Sequence, residues 1–96
     1  MAKTLLEMAG ADLTPNAVSE SVLILIDCQN EYVTGALPLT GIDTAMENAK
    51  ALLKRFRDAG QPVVHIQHQG KAGGAFDLDD PRGAIDDRVT PVDGEP

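Results

Sequence analysis

The feature that most restricts this chain is an apolar run, Val22-Leu23-Ile24-Leu25-Ile26, followed at short range by a helical stripe and a second branched run. The run does not alternate with polar residues, the pattern of a parallel strand covered on both faces. After a loop with Gly35, Pro38 and Gly41, apolar residues return as Ala45, Ala49, Leu52, Leu53 and Phe56, with Met46 beside them. Spacings of three and four place them on one stripe of a helix. Thr44 with Glu47 predicts a capping box, or Asp43 caps if the helix starts a residue earlier. Lys54, Arg55 and Arg57 complement the helix dipole at the far end, and Gly60 and Pro62 stop it. Val63 to His68 then reads as a second strand, which makes residues 22–68 a βαβ unit.

The fold class is therefore α/β, with a parallel sheet. Residues 1–20 form an N-terminal segment, in which Leu5, Leu6, Met8 and Ala9 suggest a short helix ending near Gly10 and Thr14-Pro15-Asn16 a turn. Residues 69–96 are rich in loop formers. Ninety-six residues allow one domain at most. Two parallel strands leave an open hydrogen-bonding edge and an underfilled core, so further strands must come from elsewhere.

Charge narrows the partners. A formal net charge of −7 opposes phosphate backbones and anionic lipid surfaces, so neither nucleic acid nor membrane is expected. The Val22–Ile26 run is far short of the roughly 20 residues that cross a bilayer, and Glu7 interrupts any signal-like stretch after Lys3. With its single cysteine, Cys28, the chain can form no internal disulfide, and a cytoplasmic location is the expectation.

Ligands of open parallel sheets bind beyond the carboxyl ends of the strands, where Asp27 stands. Its competing role is to turn the chain through its side-chain oxygen. Strand alternation turns Cys28 away from the face that Asp27 takes, which makes Cys28 a packing residue. His65 and His68, three apart on a strand, face opposite ways and cannot share an ion. Asp77, Asp79, Asp80, Asp86 and Asp87 fail as a calcium loop, because Arg82 stands where glycine is required and Arg88 where the closing glutamate would be. They read as a solvated loop, and Glu31 as a solvated side chain.

The stretch Leu25-Ile26-Asp27-Cys28-Gln29-Asn30-Glu31-Tyr32 resembles the opening motif of the isochorismatase-like cysteine hydrolases, an apolar strand running into Asp-x-Gln-Asn, an acid and an aromatic residue. The resemblance continues through Gly35, the 44–59 helix, Gly60-Gln61-Pro62-Val63-Val64 and the strand to His68, and fits Thr90 to Pro96. It covers the N-terminal half of a family domain, the first part of a Rossmann-like three-layer αβα fold. It implies hydrolysis of a small amide or related substrate by an aspartate, a lysine and a cysteine. Asp27 matches the aspartate; the lysine and cysteine fall beyond Pro96. It further implies that Gln29 and Asn30 fix the loop or touch substrate, and that Tyr32 forms pocket wall or core. Phe76 is a further candidate for the wall without a family counterpart.

Some relatives hold a metal on an Asp-x-His cluster after this motif, but residues 32–40 contain no histidine, so neither metal nor other cofactor is expected. The expected partners are the small-molecule substrate, the C-terminal half of the domain as a second polypeptide, and further copies in a homo-oligomer. The alternative is a non-catalytic module that recruits a partner through its open sheet edge.

Overall fold

The computed structural model describes residues 2–96. Its elements are α1 (Leu5–Met8), β1 (Leu23–Ile26), α2 (Ile42–Asp58) and β2 (Val63–Ile66), with single 3-10 turns at Val18–Glu20, Asn30–Tyr32, Pro81–Gly83 and Asp87–Val89. β1 and β2 pair in parallel, with Leu23 opposite Val63 and Ile26 opposite Ile66. α2 is the crossover, so the βαβ unit is present, with a second strand two residues shorter than the sequence suggested.

α2 buries Met46, Leu53 and Phe56, with Ala49 packed against the core. Ala45 and Leu52 lie outside this stripe and are exposed. The expected capping box does not form. The helix starts at Ile42, one turn closer to Gly41, whose φ of 76° bends the chain into it without a side-chain cap. Its other end is a Schellman closure at Gly60: Gln61 N–H donates to Phe56 O and Gly60 N–H to Arg57 O, both at 3.0 Å.

Leu23, Leu25, Leu53, Phe56, Val63 and Val89 form the core cluster. It occupies one face of the sheet only. On the other face Val22, Ile24, Ile26 and Ile66 are 54, 53, 62 and 46% exposed, against the expectation that both faces of β1 are covered. The apolar pattern suits a strand buried on both sides, yet α2 and the 87–89 turn cover just one.

Overall dimensions agree with that imbalance. The Cα radius of gyration is 16.0 Å, whereas a compact domain of this length has ~12.5 Å. The accessible surface is 6761 Å², against ~5,300 Å² for a self-contained protein of this mass.

Residues 90–96 return across α2 and β2. Arg57 forks onto Glu95, Nε to Oε2 at 2.7 Å and Nη2 to Oε1 at 2.8 Å, and its Nη2 also donates to Thr90 O at 2.9 Å. Hydrogen bonding from Arg57, with a smaller contribution from His65, pulls the Glu95 carboxyl from 4.5 down to about 2. A carboxyl depressed on folding stabilises the native state above its unfolded value, and that contribution is lost as pH falls through the folded one. The midpoint of urea unfolding should therefore drop between pH 4.5 and about 2, and Glu95→Gln should flatten that part of the profile.

Candidate active site

Asp27 is the first residue after β1 and adopts φ 57°, a left-handed conformation uncommon outside glycine, asparagine and aspartate. The turn is closed by main-chain groups: Asp27 N–H donates to Ile66 O at 2.9 Å and Gln29 N–H donates to Asp27 O at 2.8 Å. The competing role, a turn held by the side-chain oxygen, is thus performed by the backbone. Asp27 borders a depression of about 340 Å³ between the end of β1 and the first turns of α2, with Tyr32, Leu39 and Met46 among its walls.

Cys28 borders the same depression. Alternation had predicted opposite faces, but β1 ends at Ile26 and the left-handed Asp27 breaks the two-residue repeat. Cys28 also packs against the core cluster. Burial, then the charges of Asp27 and Asp86, push its thiol pKa up. A raised thiol holds less of the thiolate that a nucleophile requires.

Gln29 is wholly buried and its carboxamide is fully engaged. Nε2–H donates to His68 O at 2.9 Å and to Gly83 O at 2.7 Å, while Oε1 accepts from His68 N–H at 2.9 Å. Of its two expected roles, the geometry is that of loop fixing. The carboxamide ties the end of β1 to the residues just past β2 and to the returning 81–86 segment, which bridges back as Gln29 opposite Ile85. Asn30 sits on the same return: its N–H donates to Ala84 O and its Nδ2–H to Pro81 O, both at 2.9 Å.

Glu31, read from sequence as solvated, is wholly buried. Its oxygens accept from Ala36 N–H at 2.6 Å and Phe76 N–H at 2.7 Å, with Arg82 Nε 3.4 Å away. The two backbone donors hold its carboxyl below the usual range. Gly35 belongs to this contact, because a Cβ there would lie 2.6 Å from Glu31 Cα and overlap its Oε2. Phe76, at φ 58°, is gripped between rings: Tyr32 lies edge-on at 5.2 Å and His68 at 4.7 Å. Tyr32 therefore joins wall and packing in one residue, and the chain gathers Asp27, Tyr32, His68 and Phe76 around the carboxyl ends of its strands.

The acidic loop is less solvated than expected. Asp86 is buried and forked by Arg88, Nε to Oδ1 at 2.9 Å and Nη2 to Oδ2 at 3.0 Å, which lowers its carboxyl pKa. Asp77 and Asp80 accept hydrogen bonds from nearby backbone N–H groups. Among the described residues no three His, Cys, Asp or Glu side chains converge on one point, and no helix is long and apolar enough to cross a membrane. Sequence reading missed Glu31 and the Gln29–His68 link; an acid four residues before Gly35 and a facing Arg82 were the available signals.

A family model described as the isochorismatase domain matches residues 21–96. The chain is 35% identical over 89 residues to the secreted isochorismatase effector Isc1 of Verticillium dahliae, covering 92% of this chain and 47% of that protein. It is 35% identical over 51 residues to the streptothricin hydrolase of Streptomyces noursei, 53% of this chain and 18% of the relative. The crystal structure of an isochorismatase from Pseudomonas putida KT2440 superposes with a TM-score of 0.88 at 38% identity, over 99% of this chain and 49% of that one. The chain thus spans about half, or less, of the length of these relatives.

Removing the Gln29 carboxamide strands the His68 N–H and C=O, at about 1–3 kcal/mol for each unsatisfied group, whereas Gly83 O keeps the bond from Gln67 Nε2 at 3.0 Å. Gln29→Ala should lower unfolding free energy by at least ~2 kcal/mol in urea titrations, and shift the His68 amide resonance more than that of Leu53.

Proposed function

The chain belongs to the isochorismatase family, and on that premise we propose that it is the N-terminal half of an isochorismatase-like hydrolase, contributing Asp27 to thiol-dependent cleavage of a small amide or related substrate. The observation that carries the reading is Asp27 itself, an acid on a left-handed turn at the carboxyl end of a parallel strand, its turn closed by backbone so that its carboxylate is left for other work. The name of the Streptomyces relative, a hydrolase, agrees with this class.

In this reading Asp27 accepts the proton of a cysteine thiol, and a lysine ammonium stabilises the resulting thiolate. The thiolate attacks the substrate carbonyl and the amine leaves with a proton. Water then hydrolyses the thioester and restores the thiol. The lysine and cysteine belong to the remaining half of the domain, since Cys28 has a raised pKa and packs into the core. That half also covers the apolar face of Val22, Ile24, Ile26 and Ile66. The large surface and radius support the same arrangement. The completed domain is cytoplasmic and self-associating in this proposal, although the Verticillium relative is named as secreted.

The second reading, a non-catalytic module recruiting a partner, draws on the same uncovered face and the open strand edges. Asp27 separates the two. In the complete domain, isolated as the native polypeptide or complex that carries these residues, Asp27→Asn should lower kcat/KM toward a panel of small amides by roughly a thousandfold or more, and Cys28→Ala should stay within a few-fold of wild type. Residues 1–96 alone should be inactive. Full activity in Asp27→Asn would contradict the role given to Asp27, and a complete wild-type domain that hydrolyses none of the panel would leave only the binding module.

A further inference from the structure

β2 has a free edge, and the chain already begins to occupy it. Leu23 N–H donates to Pro62 O, and Asp27 N–H to Ile66 O, so the even-numbered carbonyls of β2 face β1. His65 is one residue out of phase and faces the opposite edge. There its N–H donates to Pro96 O at 2.7 Å. This repeats the bond that opens β2, where Leu23 N–H donates to Pro62 O and the next residue, Val63, pairs with Leu23.

The side chains around Pro96 are locked to suit. Glu95 and His65 side chains are only 8 and 4% exposed, and His65 Nε2 lies 2.8 Å from Glu95 Oε1. The Arg57 fork holds both Glu95 oxygens from the other side, and Val92 N–H adds a bond to Oε1 at 3.3 Å. Bidentate guanidinium–carboxylate pairing fixes orientation as well as position. The remaining ring nitrogen, His65 Nδ1, is buried and without a hydrogen-bond partner among the described residues, a state that native structures rarely leave unresolved.

We propose that Arg57, Glu95 and His65 form a register-setting latch, which lays the strand entering at Pro96 in parallel along the free edge of β2 and so fixes which of its residues reaches the level of Asp27. The proposal rests on the chain being half of a family domain whose backbone continues through Pro96. If the residue after Pro96 pairs with His65 as Val63 pairs with Leu23, the third residue after Pro96 stands beside Gln67. Gln67 is in turn level with Asp27, one step beyond the Ile26–Ile66 pair. Two strand spacings, ~10 Å, separate that residue from Asp27 across the carboxyl ends of the sheet. A slip of one residue would turn its side chain to the opposite face. The three latch residues touch no substrate; they are positioning residues for the strand. His65 Nδ1 gains its partner from the same completing segment.

The test compares wild type with Glu95→Ala in the complete domain, by native-state amide exchange and by kinetics. His65 and Gln67 amides, both on the free edge, should be protected in wild type. In Glu95→Ala their protection should fall at least tenfold more than that of Leu53 and Val89, and kcat should fall at least tenfold with KM changed less than threefold. Leu53→Ala, which loosens the core without touching the latch, should leave kcat at working temperature within threefold of wild type. If Glu95→Ala does not fold, Glu95→Gln and Arg57→Lys replace it, the latter keeping the charge without the fork. Unaltered Gln67 protection and kcat, or protection lost equally at Leu53 and Val89, would overturn the latch. The exchange arm reads no activity, so a domain that hydrolyses nothing still decides the latch while contradicting the hydrolase.

Discussion

The whole structure depends on one asymmetric packing arrangement, α2 laid across a single face of a two-stranded parallel sheet. Leu23, Leu25 and Val63 meet Leu53 and Phe56 there, and Val89 closes the cluster from the returning loop. Parallel strands are normally covered on both faces by crossover helices. Here the second face keeps four large aliphatic side chains partly in solvent, and of the two outer strand edges that of β2 is met by Pro96 O at His65 N–H. The same fact accounts for the excess surface and the extended shape.

Beyond the strands, order is set by buried polar groups rather than apolar ones. Gln29 and Glu31 draw distant backbone toward a single side chain, Glu95 draws the Arg57 and His65 side chains, and each is satisfied by several donors or acceptors. Buried polar groups with full partners specify one geometry, because any alternative leaves a desolvated group unpaired. A glycine- and aspartate-rich loop can in this way be held as firmly as a helix. The cost of the left-handed turn at Asp27 is met by the same network, since Gln29 anchors the chain two residues later.

Much of the fold was legible from residues 22–68, because the branched runs, the apolar stripe and Gly60 each have a local cause. The position of Asp27 just past β1 was legible as well, from its place after Ile26. The helix start was not: Thr44 and Glu47 carry a capping signal that Gly41 pre-empts by bending the chain earlier. Nor were Glu31 and Asp86, which look like surface acids until Phe76, Arg82 and Arg88 are brought to them from 45 residues away or from a compact turn. Local sequence carries propensity, whereas burial of a charge depends on which distant donors arrive.

In the proposed half-domain reading, the uncovered face and the unassisted Asp27 share one explanation, a domain completed by residues beyond this chain. The most direct measurement is the intact mass, under denaturing conditions, of the natively purified protein, together with that of any second polypeptide retained with it. On the proposed reading, polypeptide equal to roughly another length of this chain is expected, either covalently continuous or tightly bound, the Pseudomonas structure being covered over 49% of its length. A lone, folded, monomeric chain of 96 residues that hydrolyses amides in an Asp27-dependent manner would contradict it.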